Sequence, residues 1–429
     1  MEEWMEEMEP DRAVLVGLHA SVFTAEEDAT WETLDELEAL LETAGGECVA
    51  KMLQSRNAPE ARTFIGEGKL QELTELARDN DATLIIFDNE LSPSQMRVLE
   101  EATGRPVLDR SALILDIFAQ RARTGEGKLQ VELAQYQYIL PRLSGMGKTM
   151  SRLGGGIGTR GPGESKLESD RRHIRRRIDR LRRDLEDVRR VRAVQRRQRK
   201  KAELPLVAIV GYTNAGKSTL LNTLTDAGIE ANDRLFDTLD PTTRKLRISE
   251  TQEILLSDTV GFIRKLPHQL IEAFKATLEE LEYADMLLHV IDVSNPQWLE
   301  QAQIVDELIY ELGAQQIPCL RVYNKSDLYF GDIRPGGENC VSISAKTGEG
   351  LKDLLAMIDA VLDKGTRRVT LHLPYDKGGV LDMLYREAKV ESVAYSETID
   401  VVAVCVPRVI GQVRDYVEGC AEEKEEWEE

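Results

Sequence analysis

The chain has 429 residues, of which 42% are hydrophobic and 31% charged. This composition is typical of a folded protein of two to four domains and argues against a disordered or collagen-like chain. The longest apolar stretches, such as residues 286–293, are far shorter than the roughly 18 residues that a membrane span needs. No secretory signal is visible at the N-terminus, and the five cysteines include no CxxC pair. We therefore expect a cytoplasmic protein without disulfides or structural zinc, for which peripheral membrane association stays open.

The net charge of −21 is distributed very unevenly along the chain. Residues 165–201 contain 17 Lys and Arg against 6 Asp and Glu, so the rest of the chain carries a net charge of −32. Arginine outnumbers lysine 14 to 3 in this segment. Its guanidinium group suits bidentate contacts with phosphate and stacking on bases. This pattern predicts one element that binds a polyanion and a remainder that would repel it.

Residues 1–112 alternate between apolar runs and helical patterns. The runs at 13–17, 48–53 and 82–88 are typical of strands, and the patterns at 33–45, 70–79 and 91–104 are typical of helices. Alternating strands and helices predict an N-terminal α/β domain with a largely parallel sheet.

Residues 113–203 are predicted to form an antiparallel helical hairpin. Two seams of apolar residues repeat at spacings of four and three: Leu129, Leu133, Tyr136, Leu140 and Leu143, then Ile174, Ile178, Leu181, Leu185 and Val188. Between them, residues 144–165 contain eight glycines and form a tip that is too long for a simple helix turn. The second helix carries the arginine-rich stretch.

Residues 204–365 contain the most specific motif, a strand that runs directly into G-x-x-x-x-G-K-S and then a helix. Backbone N–H groups of such a loop bind phosphate oxygens, and the helix N-terminus adds its positive dipole end. Lys217 can reach the β- and γ-phosphates, and the Ser218 hydroxyl can ligate Mg²⁺. The sequence therefore predicts a P-loop nucleotide site.

Three later motifs select GTP over ATP. Residues 258–261 read DxxG, in which Asp258 can hold Mg²⁺ through water and the Gly261 N–H can bond the γ-phosphate. The N-K-x-D motif at 324–327 places Asp327 to accept two hydrogen bonds from guanine, a donor pair that adenine lacks. Asn324 braces the loop, and the Lys325 stem covers the base. In the S-A-K motif that follows, the Ala345 N–H can meet the guanine carbonyl oxygen.

The chain thus resembles P-loop GTPases, and within them the HflX-type ribosome-associated GTPases of the Obg–HflX superfamily. The residues that carry the closer resemblance are 107–135, 155–168, 235–244 and 257–274, in the order α/β domain, helical hairpin, GTPase domain. The resemblance implies a GTPase that binds the large ribosomal subunit and its rRNA in the GTP state and splits stalled ribosomes, notably under stress. Hydrolysis of GTP would reset it, and the protein would be monomeric.

The family motif also places switch I at residues 236–240. It implies Thr238 as the second Mg²⁺ ligand, whereas spacing alone leaves Thr242 or Thr243 open. The predicted GTP-binding residues are Gly211, Tyr212, Thr213, Asn214, Ala215, Gly216, Lys217, Ser218, Phe236, Asp237, Thr238, Leu239, Asp240, Asp258, Thr259, Val260, Gly261, Asn324, Lys325, Ser326, Asp327, Ser344, Ala345 and Lys346.

Phe262 stands where many small GTPases carry a glutamine that orients the attacking water. A phenyl ring cannot do this by hydrogen bonding, so no catalytic residue is assigned. We expect slow intrinsic hydrolysis that the ribosome accelerates.

The predicted RNA-binding residues belong to the glycine-rich tip and the basic helix: Arg160, Arg171, Arg172, Arg175, Arg176, Arg182 and Arg183. An alternative function is a GTP-gated RNA-binding factor for ribosome assembly or dormancy that does not split ribosomes. Residues 366–429 are expected to form a small α+β domain with an acidic tail. The predicted fold class is therefore a multidomain α/β protein.

Overall fold

The structure is a computed structural model. It describes residues 10–24, 27–143, 162–202, 204–225, 235–236, 242–249, 252–267, 270, 281, 284–329, 331, 336–337, 339–362, 367–405 and 407–418. Several predicted features lie outside these residues: Arg160 and most of the tip at 144–165, the switch I residues Asp237, Thr238, Leu239 and Asp240, and the acidic tail. Among the described residues, no helix is long and apolar enough to span a membrane.

The N-terminal domain contains a four-stranded parallel sheet in the order β2-β1-β3-β4. Its elements follow the chain as β1 (Arg12–Ala20), α1 (Trp31–Ala44), β2 (Glu47–Arg56), α2 (Glu67–Asp79), β3 (Leu84–Phe87), α3 (Pro93–Thr103) and β4 (Val107–Asp109). The predicted α/β fold is confirmed, and β4 is a short strand that the sequence analysis did not identify. Thr30 and Ser92 start α1 and α3 with reciprocal capping boxes, and Gly45 ends α1 in the left-handed region at φ 95°.

Within the described residues 110–143 and 162–202, three helices rather than the two expected follow this sheet: α4 (Arg110–Arg121), α5 (Gly125–Arg142) and α6 (Pro162–Ala202). The helix is interrupted between α4 and α5. Thr124 caps the start of α5, where its side chain accepts a hydrogen bond from the Gly127 N–H. Helix α4 packs against α1 and shares the core of the N-terminal domain. The predicted seam joins α5 and α6 through a separate apolar cluster that includes Leu133, Ile178, Leu181 and Leu185.

The GTPase domain has a six-stranded sheet in the order β10-β9-β8-β5-β7-β6, in which only β6 is antiparallel to its neighbour. Its elements are β5 (Leu206–Gly211), α7 (Lys217–Thr225), β6 (Thr242–Arg247), β7 (Glu253–Asp258), β8 (Met286–Asp292), α8 (Trp298–Glu311), β9 (Cys319–Asn324), β10 (Cys340–Ser342) and α9 (Leu351–Leu362). The parallel strands present their carboxyl ends at one edge, where the P-loop and the D-x-x-G, N-K-x-D and S-A-K motifs lie.

The C-terminal domain is a small antiparallel sheet in the order β11-β13-β12, covered by helices. It contains β11 (Arg367–Leu373), α10 (Gly378–Glu387), β12 (Lys389–Tyr395), β13 (Ile399–Cys405) and α11 (Pro407–Gln412). These elements pack around their own apolar core, as the predicted α+β domain requires.

The N-terminal and GTPase domains share one continuous apolar core. This cluster includes Leu34 and Phe118 of the first domain together with Val210, Phe236 and Phe262 of the second. The N-terminal domain and the GTPase domain are therefore in direct contact next to the P-loop. This contact positions part of the nucleotide site.

Candidate nucleotide-binding site

The P-loop connects β5 to α7 and requires glycine at two positions. Gly211 adopts φ 155°, and a Cβ there would lie 2.3 Å from the Val290 carbonyl oxygen. Gly216 adopts φ 91°, and a Cβ there would lie 2.2 Å from Asn324 Nδ2. Any larger residue would therefore collide with β8 or with the N-K-x-D loop.

Lys217 and Ser218 lie at the start of α7 beside the carboxyl end of β7. Lys217 Nζ donates a hydrogen bond to the Tyr212 carbonyl oxygen at 2.7 Å. Burial lowers the pKa of Lys217 to about 8, against the opposing effect of Asp258. The Ser218 hydroxyl donates to Asp258 Oδ2 at 2.8 Å.

A hydroxyl and a carboxylate oxygen at this distance are the ligand types that Mg²⁺ prefers. Ser218 could therefore hold the ion directly and Asp258 through water. A bound Mg²⁺ would neutralise charge on the phosphate oxygens. The second ligand expected from switch I, Thr238, lies outside the described residues.

Asn324 braces the base side of the site, as predicted. Its Nδ2 donates to the Ala215 carbonyl oxygen at 2.8 Å, and its Oδ1 accepts the Ala345 N–H at 2.9 Å. These two hydrogen bonds join the P-loop to the S-A-K loop, and the Asn324 side chain that makes them is buried. The Ala345 N–H would have to leave Asn324 to bond the guanine carbonyl oxygen.

The other N-K-x-D residues form a tight turn. Lys325 adopts the left-handed conformation at φ 60°, and its Nζ lies 2.7 Å from Asp292 Oδ2. Asp327 lies in the 3₁₀ turn Ser326–Leu328 and is exposed. The Asp327 carboxylate is therefore accessible to an approaching base, and its role in guanine recognition stays a prediction.

The segment after β7 lies directly against the P-loop. The Thr259 hydroxyl donates to the Ile209 carbonyl oxygen at 2.7 Å, and Val260 is buried. Phe262 pairs with Tyr212 in a parallel β-bridge, and its ring is 2% exposed within the shared core. A buried phenyl ring offers no hydrogen bond that could orient a water molecule.

Two predicted GTP-binding side chains contact the N-terminal domain instead. The Tyr212 hydroxyl donates to Glu36 of α1. The ring of Phe236 packs at a tilt of 55° against Phe118 of α4, with centroids 4.6 Å apart, and both rings are buried. Both side chains thus form interdomain contacts in which large apolar surfaces are buried. The assignment of Tyr212 and Phe236 to GTP binding stays a prediction.

A buried charged cluster beside the site was not predicted. Asp88, at the end of β3, accepts hydrogen bonds from Arg110 at 2.8 Å and from Lys265. Arg110 also pairs with Glu36. The sequence signal was weak: Asp88 and Arg110 each follow an apolar strand, whereas nothing in the sequence pairs them with Lys265.

The basic helix α6 presents an exposed face of arginines. Its exposed members are Arg172, Arg175, Arg176, Arg182 and Arg183, whereas Arg171 is half-buried. Arg177, which was not predicted to bind RNA, forms a bidentate pair with Glu132 of α5 at 2.8 and 2.9 Å. This pair orients the helix, so that the neighbouring arginines face away from α5.

Three protein-family models match: GTP-binding GTPase N-terminal at residues 31–119, GTP-binding GTPase Middle Region at 121–199, and 50S ribosome-binding GTPase at 206–325.

The GTPase HflX of Caldanaerobacter subterraneus is 49% identical over 96% of this chain and 96% of its own length. The GTPase HflX of Escherichia coli K12 is 44% identical over 89% of this chain and 90% of its own. A crystal structure of a GTP-binding protein from Sulfolobus solfataricus in complex with GDP is 27% identical, covers 82% of this chain and 99% of its own, and has a TM-score of 0.44.

Proposed function

The chain belongs to the HflX family of GTPases, and we propose that it acts on ribosomes. In its GTP-bound state it binds the large ribosomal subunit through rRNA and splits stalled ribosomes, and hydrolysis of GTP resets it. It acts in the cytoplasm as a monomer and serves the cell under stress. The match of its GTPase domain to the family model described as a 50S ribosome-binding GTPase supports this partner.

Hydrolysis of GTP belongs to the family, and the P-loop supplies the groups for it. Lys217 and the loop N–H groups would bind the phosphates, and Ser218 and Asp258, which are hydrogen-bonded to each other, would hold the Mg²⁺. Since Phe262 is buried and orients no water, the isolated protein lacks a side chain for that step at this position. We propose that contact with the large subunit completes the site.

The exposed arginine face of α6 carries the proposal of an rRNA partner. Arg175, Arg176 and Arg182 are exposed and point away from the seam with α5. Like charges packed along one helix repel each other, so a polyanion stabilises this surface. The Arg177–Glu132 pair joins α6 to α5, so α6 presents these charges in a fixed orientation.

The test is sedimentation of whole ribosomes through a gradient after incubation with the protein and a non-hydrolysable GTP analogue. Free subunits support splitting, whereas intact ribosomes with the protein bound support the alternative factor for assembly or dormancy. Replacing Arg175, Arg176 and Arg182 by Gln should weaken binding to large subunits and reduce the log–log salt slope by about 0.7–0.9 per lost phosphate contact.

A matched control removes three exposed positive charges elsewhere. Lys377, Arg386 and Lys389 lie on the surface of the C-terminal domain and are exposed. Their replacement by Gln should leave the salt slope unchanged. If the α6 variant binds large subunits as tightly as the parent across a salt series, α6 is not the RNA-contacting element.

Stimulation of hydrolysis is tested separately. Single-turnover hydrolysis of GTP by the isolated protein should be slow, and added large subunits should accelerate it by about 100-fold or more, as partner-supplied groups do in other GTPases. Fast turnover that added subunits do not change would contradict this part of the proposal.

A further inference from the structure

The lysine of the N-K-x-D motif is held by an ion pair with a residue outside that motif. Lys325 Nζ lies 2.7 Å from Oδ2 of Asp292, the last residue of β8. The Lys325 side chain is 26% exposed and that of Asp292 is 13% exposed, so salt and water screen this pair less than a fully exposed one. Asp292 and Asn324 are partners in the parallel register of β8 and β9, which brings the two segments together.

The Asp292 carboxylate is itself oriented by the turn that follows β8. Its Oδ1 accepts hydrogen bonds from the Ser294 N–H at 3.0 Å and from the Ser294 hydroxyl at 2.5 Å. Its other oxygen, Oδ2, is the one that faces Lys325. One oxygen thus serves the local turn and the other serves the lysine. The orientation of the carboxylate therefore does not depend on Lys325.

The backbone of Lys325 is fixed as well as its ammonium group. The residue adopts the left-handed conformation at φ 60°, and its carbonyl oxygen accepts the Leu328 N–H at 2.9 Å. The next residue, Ser326, donates its N–H to the Ile343 carbonyl oxygen at 3.1 Å. The aliphatic stem of Lys325 therefore runs between two fixed ends, whereas a lysine without a partner for its ammonium group samples many rotamers.

A fixed stem changes the cost of binding a base. The two predicted roles in this motif differ: Asp327 accepts hydrogen bonds from the edge of guanine, whereas the Lys325 stem covers the face of the ring. A long side chain that becomes ordered only when a ligand arrives reduces the affinity for that ligand. Because Asp292 orders the stem beforehand, this cost is not incurred on binding. The benefit concerns the ring face and not the choice of base.

We propose that Asp292 is a positioning residue of the nucleotide site, which acts through Lys325 and holds the lysine stem where the face of guanine binds. It raises the affinity for GDP and GTP alike, since both carry the same base. The proposal rests on the prediction that the N-K-x-D loop binds guanine, and it does not depend on a ribosomal partner.

The test measures the Kd of GDP and of inosine diphosphate, which lacks the exocyclic amine of guanine, by titration calorimetry on the full chain. In Asp292→Asn the amide oxygen can still accept from Ser294, whereas the amide NH₂ group faces Lys325, so the turn is kept and the ion pair is lost. The Kd of both nucleotides should rise by about two- to tenfold, the cost of ordering one long side chain. The ratio of the two Kd values should stay within about twofold of the parent's.

This ratio separates a positioning role from a purely structural one. If Asp292→Asn distorted the whole loop, Asp327 would move with it, and the preference for GDP over inosine diphosphate would fall as it should in Asp327→Ala. Such a fall in Asp292→Asn overturns the proposal. Lys325→Ala removes the stem itself and should weaken the binding of both nucleotides. Adding Asp292→Asn to Lys325→Ala should cause no further loss, because both residues act through one contact.

Asp35→Asn is the matched control. It also removes a carboxylate partner of a lysine, that of Lys51 at 2.5 Å, but in the N-terminal domain, and it should change neither Kd. The proposal is overturned if Lys325→Ala raises both Kd values and Asp292→Asn raises neither, if the two effects add, or if Asp35→Asn has the same effect as Asp292→Asn. If Lys325→Ala itself changes neither Kd, the assignment of the N-K-x-D loop to guanine is wrong and the role of Asp292 is overturned with it.

Discussion

The two ends of the nucleotide site are held by different parts of the chain. At the base end, Asn324 and Thr223 bond the S-A-K loop, and every partner belongs to the GTPase domain. At the phosphate end, Tyr212 is bonded to Glu36 and the ring of Phe236 packs on Phe118, so the partners belong to the N-terminal domain. The loops expected to contact the base are thus supported within one domain, whereas Tyr212 of the P-loop and Phe236 of the predicted switch I contact another.

The largest effect is expected where the phosphate end meets the shared core. Phe118→Ala should lower the free energy of unfolding by about 3–5 kcal/mol, because it removes a fully buried ring and leaves a cavity against Phe236. The measurement is the urea midpoint of the full chain followed by circular dichroism.

Phe23→Ala is the control for this prediction. Phe23 also contacts another aromatic ring, that of Phe64, with the ring centroids 6.2 Å apart. Phe23 is only half-buried, however, and both rings lie within the N-terminal domain. Its replacement should cost clearly less. Equal midpoints for the two variants would show that the Phe118–Phe236 contact does not hold the domains together.

The base end should be damaged most by Asn324→Ala. The variant leaves the Ala215 carbonyl and the Ala345 N–H without their present partner, at a cost of about 2 kcal/mol or more in binding, a factor of about 30 in Kd. GDP and GTP should be affected alike, because both carry guanine. Asn295→Ala, in a loop of the same domain, should bind normally in the same titration calorimetry. If Asn324→Ala weakened the binding of GTP but not of GDP, the two ends of the site would not be supported separately.

Base selectivity should depend strongly on Asp327. Asp327→Ala removes both acceptors expected for the guanine donor pair, and we expect the preference for GTP over ATP to fall by about 10-fold or more. Competition binding with ATP measures this preference. If the variant prefers GTP as strongly as the parent, the assignment of Asp327 to guanine is wrong.

The base end could be predicted from the sequence because its motifs are local. The P-loop, N-K-x-D and S-A-K sequences each follow their own strand, and parallel strands bring their ends to one edge. The brace by Asn324 follows from that geometry. The exposure of Asp327 could not be predicted, because it depends on how the turn Ser326–Leu328 lies on the surface.

The phosphate end could be predicted only in part, because its partners are distant in sequence. Tyr212 lies 176 positions from Glu36, and Lys265 lies 177 positions from Asp88. No periodicity links such residues, and Tyr212 was placed in the site because it belongs to the P-loop motif. The packing of α4 on α1, which brings Arg110 to Glu36, could not be predicted either. The residues from 113 onward were expected to belong to the helical hairpin.

The smallest effects come from two threonines that form a matched pair, one at each end. Thr223 donates to the Ala345 carbonyl oxygen at 2.8 Å, and Thr43 of α1 accepts the Leu235 N–H at 3.2 Å. Each hydroxyl also lies within hydrogen-bonding distance of the carbonyl four residues earlier in its helix. Replacement by Val therefore removes the same chemistry at both ends.

Thr223→Val should weaken GDP and GTP equally, by roughly two- to tenfold, because the loop it supports contacts the base. Thr43→Val should leave GDP binding unchanged, because it frees only the entry to switch I. Its effect should appear as faster amide exchange of Leu235 and Phe236, measured by hydrogen–deuterium exchange. If Thr43→Val weakened GDP binding as much as Thr223→Val does, the N-terminal domain would support the whole nucleotide site and the two ends would not be held separately.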